Sequence, residues 1–406
     1  MKIKTLLLCS ALAFTGISWT QAADVMLTPE SESVKYVRAC DAYGKGYFYI
    51  PGTDTCIRLS GNVRADFSVG DNIDAQTDGE LTEGNKTYDA ASRLTLVFQS
   101  ASETELGTLR SYARIHSQWS NGKNGASGQL GSAYIELGGF RIGLDSTIFD
   151  SWTGDYGNVI NDGIINPTGN TRTNFVAYTF NSDTGFSAII GAELGNISGD
   201  IKNGRYFTEN DGKIIEITKD NLPDKQVFPN KQIEGYIPNI LLGMKFIQDW
   251  GGVSTIASYE SYYQKWAGKV RLDYNVTDHF NLWAIGGYKN GSDYYTESTS
   301  GVLSLQNTTL YANWGGKWAA WAGATYKVTQ KANLNAQFSY SAVKTFATSV
   351  NVSYTLLPGL VITPELTYIS WNDDRVSRND AASKNYKYAL NGKNAWQAML
   401  RIQRSF

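Results

Sequence analysis

The stretch IRLSGNVRADFSV, residues 57–69, alternates without a break. Ile57, Leu59, Gly61, Val63, Ala65, Phe67 and Val69 fall on one side of an extended chain, with Arg58, Ser60, Asn62, Arg64, Asp66 and Ser68 on the other. A period of two is the signature of a strand with one greasy and one wet face.

The pattern returns in LGTLRSYARIHSQW, residues 106–119, where Leu109, Ala113, Ile115 and Trp119 oppose Arg110, Tyr112, Arg114, His116 and Gln118. It returns again over residues 266–276, 280–290, 332–343, 346–357 and 394–406. No stretch after the first two dozen residues is apolar for long enough to make a transmembrane helix. Composition agrees with β-structure and polar loops: of 406 residues, 18% are charged and 13% aromatic, with 40 Gly against 8 Pro. A soluble sandwich would alternate in the same way, and three further features separate the two cases.

First, connections mostly alternate between short and long. Tight ones fall at 103–105, 138–139, 181–185, 251–252, 278, 330 and 358–359. Polar stretches at 70–91, 120–129, 149–172, 195–236, 290–316 and 372–394 lie between them, and connections near Tyr262 and Ala342 are short. An up-and-down barrel in a membrane needs this arrangement, turns on one side and loops on the other. The pattern predicts sixteen strands, starting near residues 57, 92, 106, 131, 140, 173, 186, 239, 252, 266, 280, 317, 332, 345, 360 and 395.

Second, aromatics bracket the greasy faces. Trp318 and Tyr326, Phe346 and Tyr354, and Trp396 and Phe406 lie eight or ten residues apart with the same parity. Eight residues at about 3.3 Å each, tilted by about 40°, span roughly 20 Å, close to the apolar band of an outer membrane between its aromatic girdles. Third, the last strand carries Trp396, Ala398, Leu400 and Ile402 outward and stops at Phe406. A terminal Phe of this kind resembles the signal by which bacterial outer-membrane barrels are recognised for assembly. The fold expected is all-β, a 16-stranded antiparallel transmembrane β-barrel.

Export is written at the other end. Residues 1–24, MKIKTLLLCSALAFTGISWTQAAD, have a basic start at Lys2 and Lys4, an apolar run from Leu6 to Ile17, and small residues at Thr20 and Ala22. This reads as a secretory signal over residues 1–22, cleaved near Ala22 or Ala23. Its removal takes the formal charge from −2 to about −4, and no basic bias favours nucleic acid. Cys9 follows Leu8, without the small residue a lipoprotein signal needs, and leaves with the signal. Cys40 and Cys56 remain in an oxidising compartment, where a disulfide is the default and two free thiols the alternative. A metal site there is disfavoured, because neither His116 nor His279 is near in sequence. No metal or cofactor is expected elsewhere.

The run VKYVRACDAYGKGYFYIPGTDTCIRLSGNVRADF, residues 34–67, resembles the N-terminal signature of the general porins of alphaproteobacteria, a family that includes the major porins of Brucella and Bartonella. The two cysteines, DAYG, the aromatic YFYIPGT and the following SGNVR stand in the family's order. The resemblance implies a barrel, usually a homotrimer, that passes small hydrophilic solutes without energy input. It also implies outer-membrane lipid and lipopolysaccharide as surroundings, and the barrel-assembly machinery as a partner. Residues 23–56 would be a lead-in stapled by Cys40 and Cys56, and residues 57–406 the barrel.

Large barrels keep an aqueous channel, so selectivity rests on the lining. The wet faces carry Arg64 on strand 1, Arg110 and Arg114 on strand 3, Arg271 on strand 10 and Arg401 on strand 16. Closure of strand 16 on strand 1 is expected to gather Arg401, Arg64, Arg110 and Arg114 into one basic wall. In general porins the third long loop folds inward to form the constriction. Here that loop, FDSWTGDYGNVINDGIINPTGN, carries Asp150, Asp155 and Asp162, with Asp145 just before it, and no Lys or Arg. An acidic loop opposite an arginine wall would set a field across the pore.

Three rivals stand beside this reading. An outer-membrane hydrolase would need a nucleophile and base, yet only two His exist and no nucleophile elbow or Walker motif is present. An adhesin would use the roughly 40-residue fourth loop, whose DGKIIEITKD has the pattern of a small hairpin. A substrate-specific sugar channel would line up aromatics, and the inward Tyr112, Tyr134, Trp283 and Trp321 are expected to be scattered over the barrel.

Overall fold

A strand with one greasy and one wet face, placed in a membrane, must leave no unpaired edge, and only closure achieves this. The structure, a computed structural model, describes residues 38–75, 81, 88–121, 123–154, 157–167, 172–194, 206–210, 213–217, 236–261, 264–291, 294–297, 302–306, 309–372, 387–388 and 390–406. Residues 39–406 form one unit; of the other, Met1–Arg38, only Arg38 is described. The secretory signal, Cys9 and Asp155 therefore lie outside the described residues.

Sixteen strands close into an antiparallel barrel. In chain order they are β1 (Cys56–Gly70), β2 (Tyr88–Thr104), β3 (Gly107–Ser120), β4 (Lys123–Leu137), β5 (Phe140–Asp145), β6 (Thr173–Asn181), β7 (Phe186–Glu193) and β8 (Asn239–Gln248). There follow β9 (Gly251–Glu260), β10 (Lys265–Thr277), β11 (Phe280–Lys289), β12 (Trp318–Lys327), β13 (Ala332–Ser341), β14 (Thr345–Leu357), β15 (Leu360–Trp371) and β16 (Lys393–Ser405). Each pairs with the next, and β16 closes on β1 from Asn62 opposite Ser405 to Gly70 opposite Gln397. The chain terminus completes this seam: Phe406 and Gly61 exchange both backbone hydrogen bonds at 3.0 Å. Gly61 leaves room for the Phe406 ring, which a Cβ there would meet at 3.1 Å.

The apolar faces point outward, with Leu59, Val63, Phe67 and Val69 of β1 all exposed. Exposed aromatics ring both ends. Trp266 and Tyr288 (5.4 Å), Trp318 and Tyr340 (5.9 Å), and Tyr368 and Trp396 (4.4 Å) stand at the long-loop end, and Phe280 with Tyr326 (6.2 Å) at the short-turn end. Aromatic pairing across neighbouring strands is what a girdle at a lipid–water boundary needs.

Two strand starts differ from the sequence reading by more than two residues. β2 begins at Tyr88, four residues early, and β4 begins at Lys123, so most of the expected loop at 120–129 is strand. Asn121 takes a left-handed φ of 48° and pins the turn: its side chain accepts from the Ala90 N–H at 2.9 Å and donates to Asp89 at 2.8 Å. Polar residues here read as loop, but strands that rise beyond the membrane have no need of an apolar face.

The lead-in sits at the short-turn end. Cys40 and Cys56 are joined by a disulfide, and Phe48–Tyr49 pairs with Ile57 and Cys56. Cys40, Tyr47, Cys56 and Ala101 form a small buried cluster that Tyr43 and Tyr49 pack against. At the other end the expected hairpin in the fourth loop is present as Tyr206–Asn210 with Lys213–Ile217. It joins Tyr294–Glu297, Val302–Gln306 and Lys387–Tyr388 in a five-stranded sheet built from three outer loops.

Candidate functional site: the loop-lined lumen

The third long loop leaves β5 at Asp145 and turns straight into the barrel. Thr147 caps the single-turn helix α1 (Ile148–Ser151), its hydroxyl accepting from the Phe149 N–H at 3.2 Å. The buried Glu193 at the end of β7 holds the same corner, accepting from the Thr147 hydroxyl at 2.8 Å and the Ile148 N–H at 2.6 Å. Tyr311 supplies a third donor at 2.6 Å. Burial, and then the Glu193 carboxylate beside it, push the Tyr311 hydroxyl well above the ordinary phenol range, so it stays a donor. Glycines let the loop sink into the wall: a Cβ at Gly191 would stand 2.1 Å from Ile148, and one at Gly243 2.5 Å from the Trp152 indole.

Further along, the loop is tied to the wall by a series of polar contacts. The buried Glu365 of β15 accepts the backbone N–H groups of Ile160 and Asn161, the latter at 2.8 Å. Asn351 donates to the Asn158 carbonyl at 2.8 Å, Gln337 to the Asp162 carbonyl at 2.9 Å, and the Trp321 indole to the Ile165 carbonyl at 2.8 Å. Trp283 is wedged under the loop between Gly157 and Gly323, where added Cβ atoms would stand 2.9 and 2.5 Å from its ring. Together with the close approaches at Gly191 and Gly243, these contacts lie on β7, β8 and β11 to β15.

The neighbouring stretch of the lumen wall, on β16, β1 and β2, carries guanidinium groups. Arg401 grips Asp66 with two bonds, at 2.7 and 3.0 Å, and Arg64 reaches the same carboxylate at 3.3 Å. Arg93 sits directly across from Arg64 in the β1–β2 register and donates to Gln118 at 2.7 Å. Two cations thus share one carboxylate, with a third beside them. On β3 to β5, Tyr112 stacks on Tyr134 at 4.9 Å and 8°, and Arg141 lies over the Tyr134 ring at 4.6 Å while pairing with Glu136 at 2.6 Å.

The expected site residues divide accordingly. Arg64 and Arg401 come together through Asp66. Arg114 lies mid-strand, its guanidinium against Gly131. Arg110 is placed elsewhere, at the short-turn end, with its guanidinium 5.9 Å from the Tyr43 ring. Arg271 faces the loop side, paired with Asp273 at 2.7 Å and 5.1 Å over Trp283. Asp145 belongs to the wall, accepting from Ser132 at 2.8 Å, with Arg141 at 3.6 Å. Asp150 is on α1, among the charges near Lys269, and Asp162 on the inward loop. Asp66, Arg93 and Glu365 were missed, although the parity of their strands puts all three on the wet face.

A family model described as "Porin subfamily" matches residues 24–399. The chain belongs to this porin subfamily. Porin Omp2b of Brucella suis is 38% identical over 417 residues, covering all of both chains. Porin Omp2b of Brucella melitensis biotype 1 is 37% identical over 416 residues, again covering both in full. Among solved structures, the outer membrane channel DcaP of Acinetobacter baumannii shares the fold, with a TM-score of 0.58 at 15% identity over 88% of this chain and 99% of that one. As a porin the protein is an outer-membrane channel for passive diffusion of small hydrophilic solutes.

Proposed function

We propose that the pore discriminates by charge across a narrowed eyelet, with the third loop on one side and the Arg64–Arg93–Arg401 row on the other. The observation that carries this is the sharing of Asp66 by Arg401 and Arg64, with Arg93 beside them held by the neutral Gln118. The row keeps a net positive charge, in a water-filled space whose low-dielectric walls focus its field. The acids assigned to the loop, Asp150, Asp155 and Asp162, would form the opposite pole. Solutes with a dipole would orient in this field, and anions would hug the row.

Reversal potential across a salt gradient tests the proposal. Arg64→Glu together with Arg93→Glu moves the potential toward cation selectivity; an unchanged potential defeats the constriction assignment.

The surrounding biology is proposed on the same footing. The first 22 residues act as a cleaved export signal, and Phe406 presents the terminal strand to the barrel-assembly machinery. The outer face meets lipid, lipopolysaccharide and the other copies of a homotrimer. Transport is by diffusion, without catalysis.

A further inference from the structure

Below the loop tip, toward the short-turn end, the lumen wall is recessed. The recess has a volume of about 420 Å³, within the roughly 300–1,000 Å³ range of small-molecule sites. Asn158 of the loop and Asn333, Asn335, Ser353, Thr363 and Gln403 of the wall line it. The wall residues all lie on the inward parity of β13 to β16.

Arg401 is the one charged group in the lining of the recess; the other polar groups are neutral, and both Arg401 and the nearby Glu365 are already engaged. Arg401 is committed to Asp66 by its bidentate pair. Glu365 spends its two oxygens on the N–H groups of Ile160 and Asn161 and on the Asn351 amide. Amide and hydroxyl capacity is left over. The side chains of Asn333, Ser353 and Thr363 make no hydrogen bond to other described residues, and Gln403 uses only its amide nitrogen, to Ser405 at 3.3 Å. Val159 and Val361 add a small apolar surface. Closely spaced neutral donors and acceptors around an apolar patch match a molecule with hydroxyls on its rim and C–H groups on its face. A charged solute would find no free counter-charge in the recess and is better served by the guanidinium row.

We infer that this recess is a binding niche for a neutral polyhydroxylated solute, a sugar or polyol, beside the charged path through the same pore. The inference rests on the channel reading above and deepens it: charged and neutral solutes take different walls. The structure thereby revises the basis for a sugar preference. Trp283 and Trp321 hold the loop, so recognition falls to amides and hydroxyls.

The test is ion-current noise through single channels in planar bilayers of the mature protein, with D-glucose added to a potassium chloride bath. Brief blockades whose frequency rises with glucose are expected. The double variant Asn333→Ala with Ser353→Ala weakens the binding read from them by about tenfold, the loss of two neutral hydrogen bonds, and leaves potassium chloride conductance unchanged. An open channel on which glucose produces no excess noise, or equal noise in the double variant, marks a water-filled recess only and overturns the niche while the channel reading stands. A folded barrel that passes no potassium chloride current overturns the channel reading and the niche together.

Discussion

The carboxylate of Glu365, on the barrel wall, accepts the backbone N–H of Asn161, 204 residues earlier in the chain, at 2.8 Å. A buried carboxylate facing the N–H groups of a loop tip can be satisfied only if the loop stays folded inward. This contact fixes how far the loop reaches across the lumen, and hence the width of the pore.

Replacing Glu365 by Ala removes hydrogen bonds to a charged acceptor, each worth about 1.5–3 kcal/mol net. The loop tip is then expected to come loose. Single-channel conductance should rise and fluctuate more, with the barrel still migrating as a folded species in unheated gels. Conductance equal to that of the parent protein would mean the tip is held by its other contacts alone.

Charge reversal should depend on position along the pore. Arg93→Glu inverts a charge within the guanidinium row, whereas Arg110→Glu alters one beside Tyr43 at the short-turn end. Reversal potentials in a potassium chloride gradient should shift toward cations more for Arg93→Glu than for Arg110→Glu. Raising ionic strength should shrink both shifts, because the Debye length falls from about 10 Å at 0.1 M to about 3 Å at 1 M.

Gly323 faces Trp283 so closely that any side chain must displace the ring. Overpacking at such a point typically costs about 1–3 kcal/mol. Gly323→Val should lower the thermal midpoint of the refolded barrel and also change its conductance, because Trp283 supports the loop at Gly157. A change in stability with no change in conductance would separate the wedge from the loop.

The Cys40–Cys56 bridge spans a sequence separation of 16, and closing such a loop is worth about 3 kcal/mol in the chain-entropy model. Its removal by Cys40→Ser with Cys56→Ser should loosen the lead-in and leave the barrel closed. Limited trypsin digestion checks this: cleavage after the exposed Lys45 should accelerate, while residues 57–406 stay resistant. Equal protection with and without the bridge would show that packing of Tyr43, Tyr47 and Tyr49 suffices.

Much of this architecture was legible in the chain. The period of two set the faces, the alternation of turns and loops set the strand number, and the paired aromatics set the thickness of the apolar band. Strand starts such as 140, 186, 280, 332, 345 and 360 agree with the structure, because the short connections before them leave little freedom for register. The early start of β4 at Lys123 was harder to see, since a strand beyond the membrane lacks the apolar half of its signal.

The eyelet was only partly legible. Parity places Arg64, Arg93 and Arg401 on the wet face, yet nothing in local sequence says that Asp66 stands between Arg401 and Arg64, a juxtaposition created by β16 closing on β1. Arg110 and Arg64 look equivalent by parity and differ in height along the pore, which depends on strand stagger. The inward course of the third loop is held by Glu193, Glu365, Asn351 and Trp321, each far from it in sequence. Local alternation by itself thus determined which residues meet lipid and which meet water, because strand geometry sends successive side chains to opposite faces. Only tertiary closure decided which water-facing residues meet one another, because those neighbours are set by register and stagger around the whole barrel.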